Sequence, residues 1–342
     1  MAFFSMIIPC HNSSNTIIRL LDSLTRQGLE KEDLQVILCD DNSTDDWQEL
    51  AYPYKDKLDM VFVQTIEREM HCPSNTRRDA MPYAKGEWVC FADHDDFYED
   101  DALSKVKQFI EETNEKYCVC TILRSWNEET NVYTPFVRKQ AWLHGKFYNR
   151  KNLIQPFNIN FKENLYTHED IYFNSCVHSA LYKLGIFDFT YYDIPTYRWV
   201  ENPKSITRNY KGKRGYLHEN FQDYLVSASE PFWDMACQGH KLSIHQVIMT
   251  LLHAYFYYEA VSHQFGEKDY RDNLLCIKNF IKRILSELGM TQNEIINYVY
   301  SDPNIYALVR NDCVICTGSF IEKTSFKDFV IVILDWDIAN KL

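Results

Sequence analysis

The first third of the chain alternates short apolar runs with amphipathic stretches, and no other feature constrains the fold as strongly. Phe3–Pro9, Leu34–Cys39, Met60–Gln64 and Trp88–Ala92 read as buried strands. Between them, Ile17, Ile18, Leu21 and Leu24 recur at helical spacing behind the cap candidates Ser13, Ser14 and Asn15. A weaker helix is expected near Trp47–Tyr54, another around Asn75–Tyr83 and a third over Ala102–Ile110. Units alternating at this length predict an α/β domain with a mostly parallel, Rossmann-like central sheet flanked by helices. Such sheets bind ligands beyond the carboxyl ends of their strands. Three polar clusters fall at those ends: Pro9-Cys10-His11-Asn12, Asp40-Asp41-Asn42-Ser43 and Asp93-His94-Asp95-Asp96. Each alone serves as a turn. Three on one sheet converge on one cleft.

Charge then excludes one class of partner. The 36 Lys and Arg against 48 Asp and Glu give a net charge of −12, the opposite of what phosphate neutralisation along nucleic acid requires. Cys10, Cys39, Cys90 and Cys118 sit in or beside apolar runs, where a thiol acts as a small hydrophobe, and the total of 11 is odd. Cys313-Val-Ile-Cys316 has metal or redox spacing but lacks a second pair, so structural thiols are expected there. The N-terminus has no basic start and is broken by Pro9, which argues against a signal peptide. The apolar run Val247–Tyr258 is shorter than the roughly 20 residues that span a bilayer. A cytoplasmic, reduced protein is expected. The domain is placed at 1–215, ending in the basic, glycine-containing segment Arg208–Arg214. A mainly helical region at 216–342 is left for acceptor binding, assembly into an oligomer, or peripheral contact with the inner face of a membrane. Leu242–Val261 within it reads as a buried helix rather than an interfacial one.

Asp93-x-Asp95 at the end of a strand places two carboxylates where a hard divalent cation bridges them to phosphate oxygens. The competing reading is a helix N-terminus, because Glu99, Asp100 and Asp101 follow. Further segments complete a pattern. Ser5–Asn12, Val36–Asp45, Pro73–Ala80, Phe91–Asp96, His144–Arg150, Asn160–Glu163 with His168-Glu169-Asp170, and Tyr197-Arg198-Trp199 with Ser205-Ile206-Thr207 stand in order along the chain. Together they resemble the family 2 inverting glycosyltransferases, which have the GT-A fold and use nucleotide-diphosphate sugars. His11 stands where that family usually has Tyr or Phe, and His94 where it has a small residue.

The resemblance implies roles for matched positions. Pro9, His11 and Asn12 line the nucleotide pocket, joined by His94 and Ser205. Asp41 accepts a hydrogen bond from a uracil-type base, and Arg77 reaches the donor. Asp93 contacts ribose and metal, and Asp95 ligates Mn²⁺ or Mg²⁺. Glu169, Trp142 and Lys146 belong to the donor-sugar or acceptor side. Asp170 is the base, kept ionised by the positive end of a helix expected over Ile171–Leu181. One carboxylate base without a nucleophilic partner implies direct displacement and inversion, with a glycan or glycoconjugate hydroxyl as acceptor. Arg208–Arg214 would close over the diphosphate or serve as a linker, and a lone His218 reads as structural rather than a ligand. Trp142 and Tyr148 stack on sugar or belong to the core. The rivals are a non-catalytic glycan- or nucleotide-binding assembly protein, a nucleotidyltransferase and a phosphatase. The second needs a Gly-rich cationic loop, whereas Pro9–Ser14 has neither Gly nor Lys nor Arg. The third lacks an evident Lys-bearing partner motif.

Overall fold

The computed structural model describes residues 2–135, 142–201, 221–235, 241–262, 271–317 and 320–335. The chain divides into two compact units, Met1–Asn209 and Tyr210–Leu342. Ser205, the basic segment Arg208–Arg214, His218 and the expected boundary after residue 215 lie outside the described residues.

The first unit is built on a nine-stranded sheet. Strands β1 (Phe4–Cys10), β2 (Leu34–Asp40), β3 (Asp59–Gln64) and β4 (Trp88–Phe91) run parallel in the order β3-β2-β1-β4. Every residue of β2 and all of β1 except Pro9 are buried. A strand covered on both faces needs an unbroken apolar run rather than alternation. Beyond β4 the sheet becomes mixed. The later strands are β5 (Phe97–Tyr98), β6 (Cys118–Asn127), β7 (Val132–Pro135), β8 (Lys146–Asn149) and β9 (Thr190–Val200). β8 pairs antiparallel with both β4 and β6, β9 lies parallel to β6, and β5 returns antiparallel to β9. The parallel half thus carries the β/α alternation seen in the sequence, and residues 115–200 extend the sheet by antiparallel pairings of β7 and β8 and a long parallel pairing of β6 with β9.

The helices of this unit are α1 (Ile17–Leu24), α2 (Trp47–Ala51), α3 (Pro73–Ala80), α4 (Ala102–Thr113) and α5 (Glu169–Lys183). Ile17, Leu20, Leu21 and Leu24 of α1 are buried with Val36, Leu38 and Trp88 in one core. The expected cap differs. Thr16 occupies the N-cap without a side-chain cap bond. Ser13 contributes only its carbonyl, which accepts from the N–H groups of Thr16 and Ile17. Ser14 N–H is drawn instead to Asp45 Oδ2 at 2.7 Å, because the loop after β2 needs the donor. Gly86 leads into β4, and a Cβ there would lie 2.5 Å from the backbone of Phe4 and Ser5, so no other residue fits that crossing.

The second unit is helical: α6 (Phe221–Asp234), α7 (Lys241–Tyr257), α8 (Arg271–Glu287), α9 (Gln292–Ser301), α10 (Pro303–Thr317) and α11 (Phe326–Asp335). Val247, Ile248, Leu251, Leu252, Ala254, Tyr255 and Phe256 of α7 are all buried in its core, so this is the enclosed helix expected over Leu242–Val261. Among the described residues no helix is long and apolar enough to cross a membrane. Cys313 is buried on α10, and the side chain of Cys316 lies outside the description.

Candidate active site

The carboxyl ends of β1, β2 and β4 carry the three polar clusters, and the fold brings them to the same edge of the sheet. At β1 and β2, Asn12 has φ +49° and Asn42 φ +53°, left-handed turns that Asn tolerates. Asn12 N–H donates to Ser43 Oγ at 2.9 Å, and its Oδ1 accepts from Thr44 N at 2.8 Å, knitting the two loops together. The Asp41 N–H donates to the Cys10 carbonyl at 2.8 Å. His11 Nδ1 lies 2.7 Å from the Asp41 carbonyl, so that nitrogen carries the proton. Asp40 is buried and structural, accepting from Trp47 Nε1 at 2.9 Å. Pro9 stays in the strand, paired with Cys39.

At the end of β4 the acidic run divides its labour. Asp93 faces two nitrogen-bearing side chains: Arg77 Nη2 at 2.6 Å from Oδ1, and His144 Nε2 at 3.3 Å from Oδ2. Burial pushes the Asp93 carboxyl up, but His144 and Arg77 together outweigh it and hold the group well below the usual carboxylate range. Asp96 is buried, its Oδ2 accepting from Tyr197 OH at 2.8 Å and its Oδ1 from Val200 N–H at 2.8 Å. Burial, with Asp95 and Asp93 nearby, drives its carboxyl well up. Tyr197 OH also accepts the Asp93 N–H at 2.9 Å, and its ring stacks on His144 with centroids 4.8 Å apart. His94 is tied to Thr16 Oγ1 at 2.8 Å. Asp95 is half-buried, and its carbonyl accepts from Arg19.

The cation-binding potential was tested on these donors. Ligand atoms of Asp93, Asp96 and His144 lie within 4.8 Å of one another, and Asp95 is outside that group. Asp96 spends both oxygens on Tyr197 and Val200. The Asp93 carboxylate with the His144 imidazole nitrogen beside it offers donor types that Mn²⁺ or Mg²⁺ accepts.

The base motif reaches the same place through Arg77. This guanidinium is 3% exposed and forks between Asp93 and Glu169, donating from Nη1 to Glu169 Oε1 at 2.7 Å. The distant segments of β4 and α5 are therefore joined by one buried cation. α5 begins at Glu169, so Glu169 and Asp170 lie within its first turn, preceded by His168 at φ +61°. Burial pushes Glu169 up to about 7, Arg77 opposing and Asp170 reinforcing. Asp170 was expected to be kept low by the helix end. Instead burial raises it, against the opposing Ile171 N–H, His144, Arg77 and Lys146. A raised carboxylate is the stronger base.

Lys146, which the resemblance puts on the sugar side, is 1% exposed and donates to the Trp142 carbonyl. Burial lowers its ammonium to about 8. Tyr148 is likewise core, donating to Asn174 Oδ1 at 2.8 Å. Trp142 is half-buried, tilted against Trp199 at 6.0 Å. The sequence reading gave no role to His144, Tyr197 or Asp96. A signal existed for the first: Gly145 at φ +68°, with Leu123 2.6 Å from where its Cβ would lie, fixes the turn that presents His144.

A parallel β/α half, a mixed extension and an acidic strand end facing a helix-borne carboxylate pair define a nucleotide-sugar type of glycosyltransferase architecture. The family described as Glycosyl transferase family 2 matches residues 5–183, and the chain belongs to that family. It is 40% identical over 110 residues to the poly(ribitol-phosphate) beta-glucosyltransferase of Bacillus spizizenii, covering 32% of this chain and 17% of that protein. It is 23% identical over 267 residues to the GalNAc(5)-diNAcBac-PP-undecaprenol beta-1,3-glucosyltransferase of Campylobacter jejuni, covering 78% of this chain and 77% of that one. The match to poly(ribitol-phosphate) beta-N-acetylglucosaminyltransferase TarS of Staphylococcus aureus is 36% over 109 residues, 32% of this chain and 19% of that protein. The matched stretches thus span under a fifth of the length of the first and third of these relatives. The crystal structure of S. aureus TarS 1–349 in complex with UDP-GlcNAc superposes with a TM-score of 0.63 at 19% identity, covering 91% of each chain. The fold is therefore the GT-A fold.

Proposed function

We propose that the protein transfers a sugar from a nucleotide-diphosphate donor, a UDP-sugar, to a hydroxyl of a glycan or glycoconjugate, with inversion at the anomeric carbon. The observation that carries this reading is the Arg77 fork, which sets the Asp93 strand end and the Glu169-Asp170 helix start on one guanidinium. Relatives named as glucosyl- and N-acetylglucosaminyltransferases, one of them solved with UDP-GlcNAc, support the donor class.

In this reading Asp41 accepts from the base, with Pro9, His11, Asn12 and His94 lining the nucleotide pocket. Asp93 and Asp95 hold Mn²⁺ or Mg²⁺, which when bound neutralises charge on the departing diphosphate. Asp170 takes the proton of the acceptor hydroxyl as its oxygen attacks the anomeric carbon, and the bond to the nucleoside diphosphate breaks on the opposite face. Glu169 orients hydroxyls beside it, and Arg77 keeps both acidic segments in register.

The test is sugar transfer from a UDP-sugar panel with Mn²⁺, and again with chelator. Asp170→Asn is expected to lower kcat by a factor of about 10²–10⁴ while UDP still binds. Transfer at the wild-type rate by Asp170→Asn rejects it as the base. A metal response unchanged in Asp95→Ala rejects the ligand assignment. A protein that binds UDP but transfers nothing, even as wild type, is a binding module instead.

A further inference from the structure

Asp41 is only 8% exposed, yet its two carboxylate oxygens are treated differently. Oδ1 lies 3.0 Å from His71 Nδ1 and 3.5 Å from Thr65 Oγ1. Oδ2 has no partner among the described residues. A carboxylate only accepts, so His71 Nδ1 carries the proton that points at Oδ1. The rest of Asp41 is pinned: its N–H goes to Cys10, and its carbonyl accepts from His11 Nδ1. His11 Nε2 in turn faces Asn12 Nδ2, a donor, at 3.1 Å, so both ring nitrogens of His11 are engaged. Asn42 Nδ2 stands 3.5 Å from His71 Nε2, the ring nitrogen left to accept, and 3.3 Å from Glu67 Oε2, closing the edge of the cluster. The buried carboxylate at the end of β2 thus offers one oxygen to a ligand and withholds the other.

We infer that His71 determines which nucleobase the cleft accepts, favouring uracil over guanine by occupying Asp41 Oδ1. The inference rests on the donor reading above and deepens it. Uracil presents a single imide N–H between two carbonyls, which one free oxygen satisfies. Guanine presents two adjacent donors, N1–H and N2–H, whose natural partner is a carboxylate with both oxygens open. With Oδ1 taken, guanine buries a donor without an acceptor, and an unpaired polar group is what separates ligands most strongly. His71 itself is 40% exposed on the loop between β3 and α3, so its replacement does not open the core.

The experiment is titration calorimetry of the full chain with UDP and with GDP, both with Mn²⁺, on wild type, His71→Ala and His71→Asn. Wild type is expected to prefer UDP by on the order of tenfold or more. His71→Ala should bring that ratio close to one, weakening UDP and strengthening GDP as Oδ1 is released. His71→Asn, whose amide can donate to the same oxygen, should restore the preference. An unchanged UDP/GDP ratio in His71→Ala, with UDP binding intact, overturns the inference and leaves the donor reading standing, whereas a wild type that prefers GDP overturns both the inference and the UDP part of the donor reading. Wild type that binds neither nucleotide overturns the donor reading, and this inference with it.

Discussion

Arg77 is the residue on which the site turns, because its removal leaves two carboxylates in a buried place with no counter-ion. Breaking a buried ion pair from one side costs far more than the pair is worth in exchange for apolar groups. Arg77→Met should therefore destabilise the protein by about 3–5 kcal/mol in urea unfolding. A loss below about 1 kcal/mol would mean that solvent or a neighbouring cation replaces it. His178 gives a second residue-scale prediction, away from the cleft. Burial pulls its imidazole down to about 4 from 6.5, and its ring packs edge-on against Phe189 at 4.6 Å. A folded-state value below the unfolded one means that the unfolded chain binds the extra proton first. The stability is then complete above pH 6.5 and is lost as pH falls toward 4, by roughly 3 kcal/mol. His178→Leu should flatten the stability-against-pH curve in that window, and a slope equal to wild type would sink the assignment.

Elements place these residues through crossings that single side chains make or forbid. The loop into β4 passes so close to β1 that Gly86 N–H donates to Ser5 Oγ at 2.7 Å, and a Cβ at Gly86 meets backbone, not a side chain that can move. Gly86→Ala should cost about 3 kcal/mol or fail to fold, since the shift it forces runs into the strand that ends at the nucleotide loops. A melting temperature within one or two degrees of wild type would show that β1 and β4 can separate more easily than their packing suggests. β9 acts at the same scale: its Tyr197 supports the Asp93 N–H, the Asp96 carboxyl and the His144 ring together.

For the whole molecule, the prediction concerns linkage between donor and fold. A ligand that binds only the folded state adds about 2.7 kcal/mol at one hundred times its dissociation constant. UDP with Mn²⁺ should therefore raise the unfolding midpoint of the full chain, with no such rise in Asp41→Ala. An equal rise in that variant would place the nucleotide elsewhere. The helical unit, Tyr210–Leu342, has its own core around α7. The family match covers residues 5–183, within the first unit.

What the sequence by itself determined is the local and ordered part. Unbroken apolar runs specify buried parallel strands, Asn and Asp after them specify turns, and the order of the motifs carries the family. Those signals are legible because each depends on residues adjacent in the chain. Some assignments made from spacing alone shifted. Thr16, not Ser13, Ser14 or Asn15, stands at the α1 N-cap, and Lys146 is buried although the resemblance puts it on the sugar side. Only the tertiary structure decided that Arg77, which holds Asp93, reaches Glu169 across 92 residues, that Tyr197 braces Asp93 across 104, and that His71 sits on one oxygen of Asp41. The physical reason is that burial and charge pairing depend on which distant segments share a space, and a carboxylate's strength and free oxygens are set by those neighbours, not by its place in a motif.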